Sequence, residues 1–142
     1  MDVRTSTRFR REPAAVPAVR AVVGQALRSA GVTGDDLEEV VLAVAEACNN
    51  AILHAAGDTF TVAVAINDTR CTITVSDVGQ GFYPPRRARM PSPEAVDHRG
   101  LALMQELVDH VKVSSSPAGT TVVLVQALSG DGDRPPPLVV EL

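Results

Sequence analysis

Val40-Val41-Leu42-Ala43-Val44-Ala45-Glu46-Ala47-Cys48-Asn49-Asn50-Ala51-Ile52-Leu53-His54-Ala55-Ala56 is a small and aliphatic run interrupted by Glu46, Asn49, Asn50 and His54. At helical periodicity Leu37, Val40, Val41, Val44, Cys48, Ala51 and Ile52 share one apolar face. Glu46, Asn50 and His54 form a stripe about 80° wide, roughly opposite Val44. Apolar Leu42, Ala43, Ala47 and Leu53 flank that stripe, so it lacks the composition of a solvated face. A helix apolar almost all round is buried on more than one side, and polar groups there need partners. A carboxylate and an amide one turn apart can order a hydrated Mg²⁺ or a nucleophile's proton. A hydrogen-bonded polar seam explains the stripe equally well.

Outward from this helix, Thr33-Gly34-Asp35-Asp36 supplies capping residues at its start, and Gly57 stops it after Ala56. Residues 13–30 place Val16, Val19, Val22, Val23 and Leu27 at helical spacing between two prolines and Gly31, which predicts a first amphipathic helix. Downstream, Thr59–Asn67 and Arg70–Asp77 are rich in Val, Ile and Thr around Asp68-Thr69 and read as a hairpin. Residues 78–98 hold Gly79, Gly81 and four prolines, a broken stretch of a length that compact domains keep for functional loops. Helical spacing returns from Arg99 to His110, followed by strands Val111–Ser115 and Thr120–Leu128 around Pro117-Ala118-Gly119. The order predicts an α+β fold, a two-layer sandwich with three helices on one face of a mainly antiparallel sheet. Residues 1–12 read as an N-terminal arm, 13–128 as the domain and 129–142 as a Pro-rich tail.

The 142 residues suffice for one domain, and with 45% hydrophobic and 21% charged residues the chain can bury a core. An aromatic content of 3% leaves that core to aliphatic packing and argues against a base-stacking surface. Thirteen basic against seventeen acidic residues, a net charge of -4, argue against nucleic acid and against an anionic membrane. No run approaches the roughly 20 apolar residues of a membrane span, and Met1–Pro13 lacks the apolar stretch of a signal peptide, so a cytoplasmic protein is expected. Cys48 and Cys71 sit alone in apolar runs and read as buried free thiols. His110 reads as a surface residue at a helix end.

Two more segments can carry chemistry. Asp77-Val78-Gly79-Gln80-Gly81 puts an acceptor where a strand ends and lets the backbone turn close to a flat ligand, although a plain glycine turn has the same composition. Arg99-Gly100-Leu101 opens a helix after Arg86, Arg87 and Arg89. Free N–H groups beside guanidiniums suit phosphate, whereas a solvated basic loop is the simpler reading of the arginines alone. Neither a Walker motif nor a strand followed by GxGxxG is present.

In order, Glu46 with Asn50-Ala51 and His54, then Asp77-x-Gly79-x-Gly81, then Arg99-Gly100-Leu101, then Gly119-Thr120-Thr121 resemble the Bergerat-type ATP-binding fold of histidine kinases, gyrase and the Hsp-ninety chaperones. The segment from Ala45 to His54 looks most like the anti-sigma-factor serine kinases of bacterial partner switching. The resemblance spans about residues 13–128. It implies ATP and Mg²⁺, with Asn50 as metal ligand and Glu46 as base or orienter of the attacking hydroxyl. It further implies Asp77 as reader of the adenine amine, Thr120 supporting it through a hydroxyl and water, and Gly79 and Gly81 bordering the nucleotide. Residues 82–98 would form a lid and Arg99-Gly100 the phosphate-facing helix start. His54 would pack the helix end or lie near the lid.

The family often has glycine where this chain has His98, which bears on turnover more than on binding. The activity implied is a protein serine kinase that phosphorylates an anti-sigma-factor antagonist of the STAS type and sequesters a sigma factor, in a family that commonly forms homodimers. The alternative is a nucleotide-sensing partner-switching module with little or no phosphotransfer.

Overall fold

The computed structural model describes residues 2–77 and 98–128. In chain order these form β1 (Val3–Arg10), α1 (Ala15–Ser29), α2 (Gly34–His54), β2 (Thr59–Ile66), β3 (Arg70–Asp77), α3 (His98–Leu107), β4 (His110–Ser116) and β5 (Gly119–Ala127). The strands make one antiparallel sheet in the order β1-β2-β3-β5-β4, and both α1 and α3 pack against α2. The expected α+β architecture is what the chain adopts.

Local chemistry accounts for most boundaries. α1 closes where Gly31 takes a φ of 90° and the Val32 N–H reaches back to the Leu27 carbonyl at 2.9 Å, with Val32 itself buried. At the start of α2, Thr33 is extended but makes no side-chain cap bond; Asp35 and Asp36 in the first turn instead meet the positive end of the helix dipole. β2 alternates strictly, sending Phe60, Val62, Val64 and Ile66 inward, and β3 does the same with Cys71, Ile73 and Val75. Between them Asn67 Oδ1 accepts from the Thr69 and Arg70 N–H groups at 2.9 Å, an Asx turn that fixes the hairpin. The core joins these strand residues to Val19, Val23 and Leu27 of α1, Val40, Val44 and Cys48 of α2, Met104 of α3 and Leu124 of β5.

Residues 3–10, expected as part of an arm, are a full edge strand paired with β2. Val3, Thr5, Thr7 and Phe9 are half-buried while Arg4, Ser6, Arg8 and Arg10 are exposed, so the pattern is that of a strand with one wet face. Phe9 stacks on Phe60 with ring centroids 5.8 Å apart and anchors the pairing. The arginines suit an edge, where charge discourages pairing with another chain. Both cysteines are free and buried, and burial pushes each thiol up to about 12. His110 is half-buried at the start of β4, one strand boundary away from its expected place at a helix end. Among the described residues no helix is long and apolar enough to cross a membrane.

Candidate functional site

Three elements meet at one end of the sheet. α2 lies over β3 and β5, so its last turns face the C-terminal end of β3 and the first residues of β5. A shallow cleft, partly open to solvent and with enclosed room for about one water, lies there, lined by Ala47, Asn50, Ala51, His54, Val75, Asp77, Thr120 and Val122. Its lining mixes small aliphatic side chains with a few polar groups, Asn50, His54, Asp77 and Thr120, the composition of a site that takes an apolar ring and fixes it by hydrogen bonds.

Asn50, although polar, is 5% exposed, whereas Asn49 beside it faces solvent. Helical spacing therefore separates the two amides: only the second shares the cleft with His54 one turn later. Glu46 is half-buried one turn before Asn50 and does not line the cleft itself. Asp77, the last residue of β3, accepts a hydrogen bond from the Thr120 N–H at its Oδ1, 3.2 Å away. This contact runs through the Thr120 backbone. The Thr120 hydroxyl lies 3.0 Å from that of Ser115, because these residues face each other across the β4–β5 pair. Gly100 is buried in the first turn of α3, which packs on α2; Arg99 belongs to the same turn, which opens one residue earlier than expected, at His98. Gly79, Gly81, Arg86, Arg87, Arg89, most of the expected lid and the tail 129–142 lie outside the described residues, as do the side chains of His98 and Arg99.

Sequence reasoning did not single out Arg11. Its Nε donates to the Gly57 carbonyl and its Nη1 to the Ile52 carbonyl, each at 2.6 Å, so a residue following β1 caps the end of α2. The helix ends at His54, with Ala55 extended, two residues before the expected end near Ala56.

Burial raises the Asp77 carboxyl above its usual value, and the Thr120 N–H and the Arg11 charge pull it partly back. Folding thus favours the protonated form, a contribution complete below the ordinary carboxylate range and lost as pH rises through the raised value. At neutral pH the ionised group costs stability. Asp77→Asn keeps an acceptor for Thr120 and removes the charge, so nucleotide-free protein should melt higher at neutral pH, with the gain shrinking under mild acid. Differential scanning calorimetry at the two pH values checks this; an equal loss of Tm at both would mean that burial does not penalise the charge.

Among the described residues no three His, Cys, Asp or Glu side chains cluster as a metal site. That fits Mg²⁺ nonetheless, because this ion commonly takes one or two protein oxygens and completes its shell with water and substrate phosphates. The buried Asn50 amide, with Glu46 one turn away, supplies oxygens of the right kind.

The chain matches the histidine kinase-like ATPase domain over residues 9–126. It is 32% identical to a serine-protein kinase RsbW of Bacillus velezensis over 133 residues, covering 84% of this chain and 82% of that protein. It is 36% identical to an anti-sigma F factor of Pasteuria penetrans over 101 residues, 64% of this chain and 67% of that one. A crystal structure of the RsbU and RsbW domains of a Mycobacterium tuberculosis protein superposes with a TM-score of 0.72 at 24% identity, covering 94% of this chain and 35% of that longer one, and shares the fold. The match along most of the chain and the identity to the Bacillus kinase show that the chain belongs to the histidine kinase-like ATPase domain family, among its anti-sigma-factor serine/threonine kinases.

Proposed function

We propose that the chain binds Mg²⁺-ATP in the cleft at the end of α2 and passes the γ-phosphate to a serine of a STAS-type anti-sigma-factor antagonist. It holds a sigma factor when that antagonist is phosphorylated, and acts in the cytoplasm as a homodimer. The observation that carries this reading is the convergence of Asn50, Asp77 and Thr120 on one small-walled cleft.

Ala47, Ala51, Val75 and Val122 are the small apolar side chains against which the faces of an adenine ring would pack. The Thr120 N–H holds one oxygen of Asp77, and the other accepts from the exocyclic amine. Asn50 would hold the Mg²⁺, which supplies charge neutralisation at the phosphates. Glu46, one turn before Asn50 on α2, takes the proton of the incoming serine hydroxyl. Gly79 and Gly81 border the nucleotide, and the start of α3 at Arg99-Gly100 turns free N–H groups toward phosphate. Phosphoryl transfer has a loose transition state, so catalysis here is chiefly positioning and charge stabilisation. Adding a phosphoryl group to the antagonist puts charge into its interface with an already acidic chain of net charge -4, which drives the two apart.

The test is incubation of the protein with γ-labelled ATP and a purified STAS-type protein from its genomic neighbourhood. Label is expected on a serine of the antagonist, followed by loss of the complex in size-exclusion chromatography. ATP bound without transfer would point to the nucleotide-sensing module, the reading that His98 in place of glycine favours.

A further inference from the structure

Arg11 is half-buried between β1 and α1 and makes three long-range bonds. Besides its two guanidinium bonds to the Ile52 and Gly57 carbonyls, its backbone N–H donates to the Asp58 carbonyl at 2.8 Å. Ile52 lies in the last turn of α2, where carbonyls run out of intrahelical donors and the helix dipole is negative, so a cation there is favoured. Together these bonds hold the α2–β2 connection onto the end of β1. The same turn carries Asn50 and His54, which line the cleft opposite Asp77.

We propose that Arg11 is a positioning residue of the nucleotide cleft, locking the last turn of α2 at the height of the strand end that carries Asp77. The proposal rests on the cleft being an adenine-nucleotide site. It has two physical arms. The planar fork of guanidinium donors serves two carbonyls at once, which a single ammonium does less well. The positive charge also favours the ionised, accepting form of Asp77. Around Asp77, α2 contributes the titratable His54, β5 the Thr120 N–H and β2 the apolar Phe60 across the strand pair.

The experiment measures Mg²⁺-ADP affinity by calorimetry across pH for Arg11→Gln and Arg11→Lys, in the wild-type and His54→Gln backgrounds, alongside thermal melts. Arg11→Gln should lose about tenfold in affinity at neutral pH, and its acid-side fall in affinity should begin at higher pH. Arg11→Lys should keep the wild-type pH profile while recovering only part of the affinity, in both backgrounds. If both variants melt lower yet bind Mg²⁺-ADP with wild-type affinity and pH profile, Arg11 is only a staple of the fold and the proposal fails. Asp77→Asn, measured in parallel, separates the two layers. Weakened binding there with unaltered binding in both Arg11 variants overturns the proposal alone, whereas unaltered binding in Asp77→Asn overturns the cleft reading and the proposal with it.

Discussion

Replacing Glu46 by Gln leaves ATP bound and slows phosphotransfer by about 10²–10⁴-fold, the range ascribed to a general base. The substitution keeps the length and hydrogen-bonding reach of the side chain and removes its charge and its capacity to accept a proton. Glu46 is half-buried on α2 and does not line the cleft around Asp77, so nucleotide affinity should be preserved. Single-turnover transfer to the antagonist, with ATP saturation confirmed by calorimetry, separates the two effects. Wild-type transfer in this variant would remove Glu46 from proton transfer and leave it a polar residue on a buried helix.

Asn50→Ala has the second large effect and a different signature, because it should weaken binding and chemistry together. Removing a direct oxygen ligand costs a Mg²⁺ site at least as much as the 10–100-fold typical of losing an outer-shell partner. Alanine is the best helix former, so α2 should keep its backbone, and a thermal melt of the variant checks that the fold holds. In wild-type protein, chelating Mg²⁺ with EDTA should lower ATP affinity sharply. In the variant, affinity should already be low and barely respond to EDTA. A variant that keeps the full Mg²⁺ dependence would show that the metal is held elsewhere.

The parts legible in the sequence are those written in local spacing. The α2 stripe, the hairpin around Asn67 and the position of Asp77 at a strand end each follow from residues a few places apart. β1 was hidden because four of its eight residues are charged or hydroxylated on an exposed face, and its arginines read as an arm until Phe9 is seen against Phe60. Arg11 was hidden for a stronger reason. Its partners lie 41 and 46 residues away, and they are carbonyls, which every residue carries and no sequence pattern marks. The end of α2 lies two residues before the expected one, and the carbonyl left open there is served by that distant guanidinium. Thr120 was located by its place in a motif, but whether its hydroxyl or its backbone meets Asp77 depends on strand register, which pairs that hydroxyl with Ser115.

The central claim is that the adenine of ATP is read by Asp77 at the end of β3, and isothermal titration of Mg²⁺-ATP into wild-type and Asp77→Asn protein tests it most directly. Exchanging a charged acceptor for a neutral one at a partly buried hydrogen bond should weaken binding by about 1.5–3 kcal/mol, while the variant stays folded and melts no lower than wild type. Equal affinity in the two proteins, with both folded, would contradict the account.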